Sequence, residues 1–217
     1  MWYSFRGAPD ACIPLFGITG LPGRPRADLL VQVRGPDQND DGMKITQRPP
    51  TPVALPGGGL VHIATQRWEL ERWAGAADPP DLKRIWAIKP KFTVNGSRSC
   101  AELAILDHLG RAGWHGVWVS AFAGELRSEW FPAPAVKTLA ETGAPAWAVK
   151  AFDRLRAANG GGLGGFFDLF SWRNPDEVRF DEAKVGKDRI RPTQRRFVEQ
   201  GLLFHCIQDF TIIEVAG

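Results

Sequence analysis

GGFFDLFSWRNPDEVRFDEAKVGKDRIRPTQ, residues 164–194, holds two apolar runs on either side of a turn. The first, residues 166–172, is aromatic and contains a single acid, Asp168. Residues 173–177 (RNPDE) have the Asn-Pro chemistry that favours a chain reversal. The second run, residues 178–185, carries Glu182 and Lys184 two positions apart. Side chains i and i+2 of a strand share a face, so this carboxylate and this ammonium emerge together. Paired as a hairpin, the two runs bring Asp168 opposite or diagonal to Glu182. Two converging carboxylates beside a lysine make a hard-oxygen site suited to a divalent cation.

A Glu-x-Lys pair alone is more simply the solvent face of an edge strand. Three neighbouring features favour a site here. A charge at Asp168, inside an aromatic run, is costly unless something compensates it. Residues 159–165 (NGGGLGG) permit a close backbone approach just before it. After the lysine, Pro192 suits the first position of a helix. On that helix Gln194, Phe197 and Val198 share one face, with Leu202 a turn further on. Gln194 then points inward near the Lys184 end of the strand, or is simply a polar residue at a helix start.

The order of a glycine-rich approach, Asp-Leu-x-x-Trp (168–172), a turn, Glu-x-Lys (182–184), Asp-Arg-Ile (188–190) and a helical Gln194 resembles the VRR-NUC branch of the PD-(D/E)xK nucleases. The resemblance covers roughly the C-terminal half. It implies a restriction-endonuclease-like fold with Asp168 and Glu182 as metal ligands, Lys184 as the catalytic lysine and Gln194 as the glutamine of the following helix. Phe167 stands where the family usually has proline, and Asp181 where it has an apolar residue. Only Glu182, however, shares the face of Lys184. Many members bring a further glutamate from an N-terminal core helix, and junction resolvers of this branch suggest a dimer.

Glu102 is the candidate for that further acid. Residues 97–112 read as a helix, with Ser99 and Glu102 in the S-x-x-E relation of a capping box. Glu102 also heads the stripe of Ile105, Leu106 and Leu109 at helical spacing, where a site carboxylate would lie. Cap and site residue stand as alternatives.

Composition limits the remaining classes. The chain has 217 residues, 44% of them hydrophobic, and nine tryptophans, enough for a packed core. No apolar run reaches the ~18 residues of a membrane span, and MWYSFRG at the start is not patterned as a secretory signal. Cys12, Cys100 and Cys206 form no C-x-x-C pair, so reduced thiols and a cytoplasmic location are expected, with neither zinc nor a disulfide framework. None of the histidines has metal-ligand spacing to another. The net charge is only +3, yet Lys184, Lys187, Arg189, Arg191, Arg195 and Arg196 crowd into residues 184–196. Such clusters are commonly solvated faces. Beside a metal site, Lys187 and the four arginines read as a phosphate-contacting surface.

Along the chain, residues 1–95 are expected to be an extension of strands and loops, broken by proline and glycine, and residues 96–217 the nuclease core. Strands are predicted at residues 28–34, 60–64 and 85–88, with a helix over 66–74. Further on, a strand is expected at 116–122, turning back into 125–131. Short helices follow, the second over 145–158 with Ala148, Ala151, Phe152 and Leu155 buried. The 192 helix runs to about His205, and a last strand covers 210–215. The fold class is α/β, a mixed central sheet with the Glu102 helix on one side and the Gln194 helix on the other. The expected function is metal-dependent phosphodiester hydrolysis, most simply of DNA, by a structure-selective endonuclease. Asp168, Glu182 and the Ala183 carbonyl, with Glu102 as a further ligand, would hold Mg²⁺ or Mn²⁺. The alternative is a catalytically inactive nucleic-acid-binding module that retains the fold.

Overall fold

The computed structural model describes residues 43–76, 89–129, 133–186 and 188–217. Lys187 and the predicted strands at 28–34 and 85–88 lie outside the described residues. Nine strands and three α-helices follow one another along the described chain. A long hairpin comes first, β1 (Lys44–Ala54) and β2 (Leu60–Glu69). The small strands β3 (Phe92–Val94) and β4 (Ser97–Ser99) then lead into α1 (Ala101–Arg111). Next come β5 (His115–Ser120), β6 (Glu125–Arg127) and α2 (Ala146–Ala158). The chain ends with β7 (Leu169–Asn174), β8 (Glu177–Val185), α3 (Pro192–Gly201) and β9 (Phe210–Ala216).

Seven strands form one mixed sheet in the order β1-β2-β9-β8-β7-β5-β6. β7 runs antiparallel to both β5 and β8, and β9 then lies parallel to β8. β2 joins on the far side of β9, also in parallel, so the first hairpin widens the same sheet. A parallel neighbour requires a crossover, and α3 supplies it between β8 and β9. The sequence from α1 to β9 is therefore helix, antiparallel strands, helix, parallel strand, with β6 and α2 inserted.

Period-2 alternation decides what each face of the sheet packs against. On one face Phe166, Phe167, Phe170, Phe180, Phe197 and Phe210 form a single aromatic core with α2 and α3. Their ring centroids lie as close as 4.5 Å, between Phe166 and Phe197. On the other face Trp118, Leu169, Ala183 and Ile213 meet Leu103, Ala104, Ile105 and Leu109 of α1. The two expected flanking helices thus occupy opposite sides of the sheet. Ala148, Phe152 and Leu155 are buried on α2 as the sequence pattern required, whereas Ala151 is only half-buried.

Three local expectations are corrected. The helix predicted over 66–74 does not form, because 66–69 continue β2 and Arg72 bridges to Phe92. Strands on both sides of β2 satisfy its backbone and override the modest helix propensity of that segment. The helix predicted from Ser97 begins at Ala101, since Ser97–Ser99 pairs with Phe92–Val94. Its N-cap is Cys100, which makes no side-chain cap bond, so the capping box of Ser99 with Glu102 is absent. Cys100 is a buried free thiol. Among the described residues no helix is long and apolar enough to cross a membrane.

In the glycine-rich approach, Gly165 combines a left-handed backbone with a close contact. Gly165 has φ +84°, and a Cβ there would sit 2.5 Å from the Thr193 carbonyl oxygen in the first turn of α3. Both the conformation and the contact exclude a side chain. Gly165→Ala is expected to lower stability by about 1–3 kcal/mol, measured by urea unfolding. Because Thr193 adjoins Gln194, the same substitution should loosen the start of α3.

Candidate functional site

The β7–β8 register pairs Leu169 with Asp181, which sets Asp168, one residue before β7, level with Glu182. Two bonds close the pair. The Asp168 amide donates to Glu182 Oε2 at 3.2 Å, and the Ala183 amide donates to Asp168 Oδ2 at 3.1 Å. Asp168 is held in line by the neighbouring strand, where the Val119 amide donates to its carbonyl at 2.7 Å. Asp181 emerges on the opposite face, fully buried, in an ion pair of 2.5 Å with Arg179. The acid beside the lysine is therefore Glu182.

Lys184 is buried to the same depth as Glu182 and its ammonium stands 2.7 Å from Glu182 Oε1. It also reaches Gln194 Oε1 at 3.2 Å and Asp188 Oδ2 at 3.4 Å, so all three of its protons have acceptors. Gln194 does two jobs with one amide. Its Oε1 accepts from the Arg191 backbone amide at 2.9 Å, capping α3, while its Nε2 donates to Glu182 Oε1 at 2.5 Å. Gln194 thus caps the helix and points inward, against Glu182 and Lys184.

Burial and crowding set the electrostatics. The Asp168 carboxyl is pushed well above the usual carboxylate range by burial first, then by Glu182 and Glu102, with Lys89 and Lys184 opposing. Glu182 is also raised, by burial, against the pull of Lys184. One proton shared between two close carboxyls is the state that like charges adopt without a cation. The donor set of two carboxylates and backbone oxygen fits a hard divalent ion, which would replace that proton.

Glu102 is buried at the head of α1 and forms an ion pair with Lys89. Lys89 in turn lies 4.7 Å from the centroid of the Trp118 ring. Glu102 raises the Asp168 carboxyl, so the third acid stands in electrostatic range of the pair. It does not close on it: among the described residues no three acidic, His or Cys side chains already form a ligand set. Lys89 is the residue that sequence reasoning missed. It lies thirteen positions before Glu102 in a segment without periodicity, and only the fold brings the two together.

Arg189, Arg191, Arg195 and Arg196 are exposed around the start of α3, while Gln194, Phe197 and Val198 form its buried side. Arg191 reaches Asp188 at 4.0 Å; the other three make no ion pair among the described residues. Compared with protein-family profiles, curated proteins and solved structures, the chain finds no match.

Proposed function

We propose that this chain is a divalent-metal-dependent nuclease of the PD-(D/E)xK type, close to its VRR-NUC branch, acting on DNA. The observation that carries this reading is the Asp168–Glu182 carboxyl pair, Glu182 buried and Asp168 half-buried, with Lys184 and Gln194 locked against it. The order of α1, β5, β7, β8, α3 and β9 also fits a restriction-endonuclease-like core. Asp168, Glu182 and the Ala183 carbonyl would hold Mg²⁺ or Mn²⁺, with Glu102 next in reach. The bound ion supplies Lewis acidity toward a phosphate and a water of lowered pKa. Lys184, fixed by Glu182 and Gln194, offers positive charge where a phosphate develops negative charge during hydrolysis. Gln194 keeps Lys184 and Glu182 in register without charge of its own. The exposed arginines near α3 provide phosphate contacts along the duplex.

Cleavage of labelled single-stranded, duplex, flap and four-way-junction DNA, with RNA counterparts, tests the reading. Turnover is expected with Mg²⁺ or Mn²⁺, to be lost in EDTA and weak with Ca²⁺. Equal cleavage in EDTA would remove the metal mechanism. Binding without cleavage under every condition would favour an inactive nucleic-acid-binding module on the same fold.

A further inference from the structure

Lys89 stands outside the mechanism just described, yet it is built into the site. Its ammonium ion-pairs with Glu102, which is 5% exposed, and packs over Trp118, which is 2% exposed. The Lys89 side chain itself keeps 31% of its surface open. Glu102 is held at the head of α1, whose inner face packs on Trp118 and Leu169, the residue next to Asp168. An acid so placed, in electrostatic range of two more carboxyls, would destabilise the fold without a cation beside it.

We infer that Lys89 is an internal counterion, occupying Glu102 when no divalent ion is present and displaced from it when the Asp168–Glu182 pair takes one up. The inference rests on the metal-site reading of that pair. The geometry supports competition rather than a fixed structural bridge, because one ammonium is divided between the Glu102 carboxylate and the face of the Trp118 ring. A divalent ion on the pair would then repel the ammonium and attract Glu102. The face of an aromatic ring, unlike a carboxylate, holds a cation weakly enough to release it.

Isothermal titration of Mn²⁺ into the wild type, Asp168→Ala, Lys89→Met, Glu102→Gln and the Lys89→Met/Glu102→Gln double variant tests this. Lys89→Met is expected to bind Mn²⁺ about tenfold more tightly than wild type, because a competing positive charge is gone. The gain should vanish in the Glu102→Gln background. Unchanged or weaker binding in Lys89→Met would overturn the inference and assign Lys89 to fixing α1. No binding by the wild type, or equal binding by Asp168→Ala, would instead remove the metal site itself, and the counterion role with it. A second readout needs no weakened variant. Mg²⁺ should shift the Trp118 indole signal in ¹H–¹⁵N spectra of the wild type, assigned through Trp118→Phe, as the ammonium leaves the ring. A signal that stays put at saturating Mg²⁺ would also overturn the proposal.

Discussion

Asp168→Asn is expected to lose Mn²⁺ binding while making the cation-free chain more stable at neutral pH. The two effects have one origin. Burial, then Glu182 and Glu102, hold the Asp168 carboxyl well above the ordinary carboxylate range. The native state therefore keeps a proton that the unfolded chain releases near pH 4. Where the native state binds more protons, stability falls as pH rises. In EDTA the wild type should lose stability from about pH 4 upward, through the raised titration of the Asp168–Glu182 pair. Asn is neutral throughout, so this slope should flatten, and the advantage of the variant should disappear at acid pH. Its Ala183 amide bond at 3.1 Å can be kept by the Asn side-chain oxygen, which limits structural damage. Mn²⁺ affinity should fall by more than about a hundredfold, since even outer-shell partners of metal ligands are worth ten- to a hundredfold. Urea unfolding across pH, paired with Mn²⁺ titration, measures both. A variant with the wild-type slope and the wild-type affinity would leave the two acids without a role.

The legible part of this site was the part written in strand geometry. Glu182 and Lys184 share a face because they are two apart, and the Asn-Pro turn sets the register that brings Asp168 alongside. Pro192 placed the start of α3, and that fixed Gln194 inward. These are local rules acting over about thirty residues. Failures began where tertiary pairing competed with local propensity. Residues 66–69 have a helical composition, but β1 and β9 lie on either side of them, and a doubly paired strand leaves no backbone group for a helix. Ser99 could not cap α1, because its backbone is committed to β3. The bond of Glu102 to Lys89 was out of reach for a different reason. Its two ends belong to a helix and to an irregular segment, and no sequence period connects them.

Lys184→Met should abolish cleavage and leave DNA affinity nearly intact, whereas replacing Arg195 and Arg196 together should do the reverse. Lys184 is 5% exposed and its protons are taken by Glu182, Gln194 and Asp188. A group so enclosed contributes little to long-range attraction of a duplex, but it touches Glu182, the carboxylate that would face the phosphate in the proposed reaction. Loss of one preorganised electrostatic group commonly lowers turnover by about 10²–10³-fold. Glu182 would then lack its cation partner, and breaking a buried pair costs about 3–5 kcal/mol. Circular dichroism at the assay temperature must accompany the rate, with Lys184→Arg as the variant that keeps the charge. Arg195 and Arg196 are exposed on α3 and make no ion pair among the described residues. Each phosphate they neutralise releases about one counterion. The double Ala variant should weaken binding and flatten the slope of log affinity against log salt by about one to two units. Saturating DNA should restore turnover in the arginine variant and leave Lys184→Met inactive, since only the latter removes an interaction made in the transition state. Normal cleavage by Lys184→Met at saturation would reduce Glu182 and Lys184 to an ordinary buried ion pair. The arginines would then mark a binding module rather than a nuclease.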